Sequence, residues 1–302
     1  MDRNSRIRLP SMTCRSCTLN SLEGDRLLIY SLLEDSLDVA YAGLRTRLKQ
    51  RTRQAGNLTG WRTSVALIMQ DRFIGDIGDF EKYGLLRALA GVHPPEAPEL
   101  SLGVVWYKVP DLNIDFLKDP TGYRDCDPLL FNELNRVVQS NERTIAAIQH
   151  VPIWPKGTKF FGEPAVKRKP SRPDDPWLDA AVEEIGKCEL VFLDPDNGLE
   201  NRSKDRCSRE HCSYNDVQRL WERGASLVIY QHQHRFKRQA EQMAAIADEL
   251  KEVVGTRPWY LHFTQRSLFV VPSKRHDDIL KARFLRFVGN WGGHPRLGNG
   301  PE

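Results

Sequence analysis

Long apolar runs are missing from this 302-residue chain. No stretch approaches the roughly 20 consecutive apolar residues that a helix needs to cross a bilayer, so no membrane span is expected. The opening residues, Met1-Asp-Arg-Asn-Ser-Arg6, lack the apolar core of a secretory signal. Cysteine is sparse: the six, at 14, 17, 126, 188, 207 and 212, make no dense disulfide framework. Reduced thiols and a cytoplasmic setting are therefore expected. Neither G-x-G-x-x-G nor G-x-x-x-x-G-K-[ST] occurs, which removes the common glycine-rich phosphate loops. No internal repeat or low-complexity block is present.

What is present is an ordinary globular balance, with 40% hydrophobic and 28% charged residues. The formal charge of +4 is unevenly placed. Residues 1–68 hold eleven Lys and Arg against six Asp and Glu, and the remainder holds 33 against 34. The basic balance thus belongs to the leading segment and gives no ground for nucleic-acid binding by the body. The local clusters Lys167-Arg168-Lys169 with Arg172, Arg202–Arg209 and Arg235-Phe236-Lys237-Arg238 are read as solvated loops and helix faces.

The leading segment is Arg-rich and without clear periodicity, whereas a regular pattern starts at Met69. The expectation is an N-terminal extension over 1–68 outside the native fold, a domain over 69–288 and a loose tail over 289–302. Within the domain, Asp79 is expected to cap a helix over 80–90, and Ser101–Val109 reads as a strand. A single helix is expected over about 128–149, a short strand over 157–161 and a helix over 177–186. Leu190-Val-Phe-Leu193 and Ser226-Leu-Val-Ile-Tyr230 are uninterrupted apolar strands, the mark of parallel strands buried on both faces. Helices are expected over 214–223, 236–254 and 277–287, with a hairpin of 259–263 and 267–271. Alternating strands and helices imply an α/β fold, a Rossmann-like three-layer sandwich. Its sheet is mostly parallel, with a C-terminal antiparallel hairpin at one edge.

Ligands of such sheets bind at the carboxyl ends of the strands. Two polar strand ends fall there. The first is Asp194-Pro-Asp196-Asn197-Gly198, where Pro195 and Gly198 shape a tight turn that presents two carboxylates and an amide. An Asx-turn that merely exits the strand is the alternative. The second is Tyr230-Gln231-His232-Gln233-His234, whose imidazoles suit proton transfer. Asp194, Asp196, Asn197 and His232 are the candidate catalytic residues. Tyr230, Gln231, Arg235 and Lys237 are candidates for substrate binding. Gly75-Asp76-Ile-Gly-Asp79-Phe-Glu-Lys82-Tyr83 brings glycines and carboxylates to a helix start, as a loop close to a ligand or as an ordinary capped helix. Cys207 and Cys212 with His211, or Cys14 and Cys17, have spacings that zinc sites use, but unpaired thiols are the preferred reading and no metal residues are assigned.

Taken together, these motifs resemble class I S-adenosylmethionine-dependent methyltransferases, and among them the adenine-N6 methyltransferases of large-subunit ribosomal RNA. Asp79, Lys82 and Tyr83 resemble an opening Asn-His-Ala-Asp-x-x-x-Lys-His helix, and Asp194-Pro195 resembles the start of Asp-Pro-Pro-Tyr. The resemblance covers about residues 70–272 and includes the later order of helix, strand, helix and hairpin. It implies S-adenosylmethionine near Asp76, Asp79, Lys82 and Tyr83, a target amine on Asp194, and a nucleobase or nucleic acid as substrate. Asp196-Asn197 stand where that family has Pro-Tyr, and Trp106-Tyr107-Lys108-Val109 stand where its glycine-rich cofactor turn is expected. Leu190–Asp196 also resembles the strand-D-x-D signature of haloacid-dehalogenase-like phosphatases, which implies magnesium on Asp194 and Asp196 for a phosphoesterase or nuclease. A non-catalytic Rossmann-like binding protein is the third reading.

Overall fold

The computed structural model describes residues 74–108, 120–140, 143–165, 168–170, 172–202, 208–233 and 238–301. All of them belong to the unit Val65–Glu302. The expectations for 1–68, Met69, Cys14, Cys17, Cys207, His234, Arg235 and Lys237 lie outside the described residues.

Among the described residues, helices and strands alternate except at one pair of consecutive helices and one pair of consecutive strands. The order begins α1 (Ile77–Ala90), β1 (Leu102–Trp106), α2 (Pro128–Gln139), α3 (Ile145–Gln149), β2 (Lys159–Phe161) and α4 (Pro176–Ile185). It continues β3 (Leu190–Asp194), α5 (Tyr214–Trp221), β4 (Ser226–His232) and α6 (Gln239–Val254). It closes with β5 (Trp259–His262), β6 (Arg266–Val271), α7 (Asp277–Asn290) and β7 (Arg296–Asn299). The strands form one sheet in the order β2-β1-β3-β4-β6-β5-β7. The first four are mutually parallel, β6 is antiparallel to both β4 and β5, and β7 is antiparallel to β5. The molecule is thus an α/β protein with a mixed sheet.

The apolar strands are buried on both faces because successive side chains alternate. Val104, Phe192 and Val228 enter one core with residues of α1, α2, α3 and α7. Val105, Leu193 and Ile229 enter a second core with residues of α4, α5 and α6. Helix starts follow local chemistry. Asp175 and Ser213 cap α4 and α5, the latter in a reciprocal capping box with Asp216.

Several expectations are corrected. The cap of α1 is Asp76, which accepts from the Asp79 N–H at 3.0 Å, so Asp79 lies inside the first turn. The strand expected over 101–109 ends at Trp106. The helix expected over 128–149 is two helices, because Ser140 leaves α2 in an extended conformation and Thr144 caps α3 anew. The hairpin of β5 and β6 is not at the sheet edge, since β7 covers β5. That edge strand comes from the stretch expected to be a loose tail. Trp291, 3% exposed, anchors the same stretch against Phe80 and Phe287. Arg168, expected in a solvated loop, is 3% exposed and pairs with Asp175 and Asp216. Its guanidinium lies over the Tyr107 and Trp177 rings, and so replaces water with carboxylates and aromatic faces. No helix among the described residues is long and apolar enough to cross a membrane.

Candidate functional site at the carboxyl edge of the sheet

The site starts from the strand tips. Trp106 and Asp194 are register partners on β1 and β3, and the register that pairs Leu193 with Ile229 sets Asp194 beside Tyr230. Trp106 belongs to the core under α1, and Tyr230 packs against that same core. Alternation along β3 puts Asp194 on this face too, after Leu190 and Phe192. A row of indole, carboxylate and phenol therefore crosses three adjacent strand ends. One step further out, His232 of β4 faces Arg266 of β6. His232 Nδ1 lies 3.4 Å from the Tyr230 hydroxyl, so it joins the same cluster.

Helix α1 covers this row with charges. Lys82 Nζ lies 3.0 Å from Asp194 Oδ2 and 2.9 Å from Asp79 Oδ1. The same ammonium is 5.5 Å from the Tyr230 ring centre and 5.8 Å from that of Tyr83. One cation thus serves two carboxylates between two aromatic rings. The other oxygen of Asp79 accepts from the Gly75 N–H at 3.0 Å and fixes the helix start. Arg266 forms a second tier, with Nη1 3.1 Å from Glu81 Oε2 and Nη2 4.0 Å from Asp76 Oδ2. The other Glu81 oxygen accepts from the Tyr123 hydroxyl at 3.1 Å. Gly78 makes room for this tier, because a Cβ there would stand 2.8 Å from the Arg266 guanidinium carbon.

The cluster holds four carboxylates, Asp76, Asp79, Glu81 and Asp194, against two cations, Lys82 and Arg266. Burial raises the pKa of Asp194, and Lys82 works against that rise. Burial also raises those of Asp76 and Glu81, with Arg266 opposing in both. Burial works to lower that of Lys82, but Asp194 and then Asp79 outweigh it, so the amine stays charged. The two carboxylates thus favour the charged form of Lys82. Tyr230 is raised by burial, and both Asp194 and Asp196 add to the rise, which places the Asp196 charge at the same edge.

Asn197 and Gln231 hold the turn. Asn197 Nδ2 donates to Glu210 Oε2 at 2.9 Å. Gln231 Oε1 accepts from the Leu199 N–H at 2.7 Å, and its amide donates to the His232 carbonyl at 2.9 Å. Gln231 sits one position out of step with Tyr230 and His232, on the opposite face of β4. Both amides are committed to tethering the acidic turn. Gly198 is required there: its φ is 78°, and a Cβ would stand 2.5 Å from Gln231 Oε1.

The chain matches no protein-family model, no curated protein and no solved structure.

The motifs imply two groups at this site, S-adenosylmethionine and magnesium. The tip of β1, where the cofactor turn was expected, is filled. Trp106 stacks on Phe160 at 5.3 Å, and the buried Tyr107 donates its hydroxyl to Asp216 at 2.9 Å. These residues do not fit S-adenosylmethionine at that place. Magnesium fares no better on Asp194, whose two oxygens lie 3.4 and 3.0 Å from the Lys82 ammonium. Among the described residues no group of three or more His, Cys, Asp or Glu gathers to hold a metal. Cys212 is a buried thiol outside any disulfide, and its Sγ donates to the Ser213 carbonyl at 3.6 Å.

Sequence reasoning missed Arg266 and Glu81. Arg266 was read as part of a hairpin turn, and only the β4–β6 register brings it to this edge. Glu81 carried a weak signal. Nearly every residue of α1 is buried, so a charge in that helix must find a partner.

Proposed function

We propose that this protein is a Rossmann-like three-layer sandwich, methyltransferase-like in layout, whose Asp194 centre binds the amino group of a nucleobase. The observation that carries the reading is the setting of Asp194: a buried carboxylate at a strand tip, aimed at a nitrogen cation and flanked by the Tyr230 ring. A carboxylate so placed accepts N–H donors. Lys82 opposes the burial that would neutralise it, and so favours the accepting form. The ring supplies a flat apolar wall for a planar base. The surplus of carboxylates repels a phosphate at the centre, which counts against the phosphoesterase reading.

In the family that the sequence resembles, such an amine receives a methyl group from S-adenosylmethionine. The filled β1 tip does not fit that cofactor, and no step is derived through it. The proposal is the holding of the amine: Asp194 accepts a hydrogen bond from its N–H, Lys82 orients Asp194, and Tyr230 lines the base. Nucleic acid, as carrier of the base, is the partner this implies, in a cytoplasmic setting.

The test is a titration of the protein with adenosine, cytidine and uridine, repeated on Asp194→Asn. Preference for the two amine-bearing nucleosides, lost in the variant, supports the reading. Equal binding of uridine, or no effect of the variant, overturns it. Incubation with S-adenosylmethionine labelled in its methyl group adds the catalytic arm: label transferred to the nucleoside makes the centre a methyltransferase, and its absence leaves a binding protein.

A further inference from the structure

The Asp194 centre contains two polar groups with nothing to bond. The Tyr83 hydroxyl and the Trp106 indole Nε1 are both buried without a hydrogen-bond partner, in residues that are 0% exposed. Such orphans are few in folded proteins and call for a reason. Both belong to this centre by position. Trp106 is the register partner of Asp194 on the same face of the sheet. Tyr83 follows Lys82 on α1.

Neither group is free to turn away. The Tyr83 ring meets Trp154 edge-on at 4.8 Å, Trp154 meets Phe160 at 5.4 Å, and Phe160 stacks on Trp106 with 4° between the planes. An aromatic chain thus clamps both rings. An indole nitrogen only donates. The Tyr83 phenol keeps its proton, because burial raises its pKa and Asp79 adds to the rise. Asp194, the register partner of Trp106, supplies the opposite polarity, an acceptor.

We propose that Tyr83 and Trp106 are specificity-determining donors that take an acceptor atom of the ligand next to the amine held by Asp194. This rests on the reading of Asp194 given above and sharpens it. The ligand edge that satisfies the centre carries an amine and, bonded to the same ring carbon, a ring nitrogen with a lone pair. A lone alkylamine or an aniline-type amine leaves both donors unmet.

Two planar probes of nearly equal size, both uncharged at neutral pH, separate the cases. In 2-aminopyrimidine the amine is flanked by ring nitrogens, and in aniline by C–H groups. Binding is read by NMR titration of the whole protein, of Tyr83→Phe, of Trp106→Phe and of Asp194→Asn. The expected result is 2-aminopyrimidine binding about tenfold or more tightly than aniline, a gap worth one good hydrogen bond. Tyr83→Phe narrows that gap while the unfolding midpoint holds or rises, since it deletes an unpaired hydroxyl. Asp194→Asn weakens both probes. If both probes bind equally to the native protein and Asp194→Asn still weakens them, the donor pair is overturned and the Asp194 reading survives. If the gap is present but unchanged in both Tyr83→Phe and Trp106→Phe, the assignment to these residues fails. If neither probe binds, the amine reading falls and the donor pair falls with it.

Discussion

The Lys82 ammonium and the Asp194 carboxylate meet at 3.0 Å across 112 residues of sequence, joining the first described helix to the tip of a central strand. Their side chains are 12% and 5% exposed, so solvent screens the pair little. Breaking such a pair from one side strands a buried charge. Lys82→Met is expected to destabilise the fold by about 3–5 kcal/mol. Adding Asp194→Asn to it removes one of the stranded carboxylates and restores part of the loss. Urea denaturation of the single and double variants checks this.

Gly198→Ala tests the acidic turn. A Cβ at φ 78° is strained and also collides with Gln231. The expected loss is about 2–3 kcal/mol, from the left-handed backbone and the displaced tether. Gly289→Ala is the contrast. It lies in α7 with nothing within 4 Å of a Cβ, and replacing a helical glycine is expected to stabilise by about 0.5–1 kcal/mol. Melting temperatures should move in opposite directions.

Acid should weaken the protein first through histidine. His276 is buried with Nδ1 3.2 Å from Ser226 Oγ and 3.1 Å from Ser273 Oγ. Burial lowers its pKa below 6.5, with Glu189 opposing. His262 is lowered in the same way by burial, and Arg296 adds to it. The unfolded chain therefore takes up protons before the folded one, and stability falls as pH drops below about 6.5. The raised carboxylates Asp76, Glu81 and Asp194 act in the opposite sense. Their folded forms bind protons first, so they favour folding as pH falls further toward the ordinary carboxylate range. Urea midpoints at about pH 7.5 and 5.5 measure the histidine effect, and His276→Asn should flatten it.

Tyr107→Phe distinguishes scaffold from site at the β1 tip. Its hydroxyl donates to the buried Asp216, which also holds Arg168. Losing a hydrogen bond to a charged group is expected to destabilise by about 1.5–3 kcal/mol. Nucleoside binding should stay unchanged, because this ring faces the second core, away from Asp194. A change in nucleoside affinity without a change in stability would contradict that placement.

The readable parts of the fold were those encoded locally. The uninterrupted apolar runs at 190–193 and 226–230 announced buried parallel strands, and each ends in polar residues at the sheet's carboxyl edge. The hairpin of β5 and β6 was likewise visible in its two apolar runs. Errors fell where a distant contact outweighed local pattern. The glycine- and proline-rich stretch after 289 read as loose, yet Trp291 buries against Phe80 and β7 pairs with β5. Arg168 read as solvated, yet the nearby Asp175, the distant Asp216 and two rings draw it inside.

By itself, then, the sequence determined most of the strands and helices, though not β7 or the break between α2 and α3, and that Asp194 ends a strand. Periodicity, turn residues and apolar runs act over a few neighbours, and that range suffices for such assignments. Only the tertiary structure decided that Lys82 reaches Asp194, that Arg266 reaches Glu81 across 185 residues, and that Gln231 ties down the acidic turn. A buried charge takes whichever opposite charge the strand register and the overlying helix bring within about 3–4 Å. That pairing is a property of the assembled sheet.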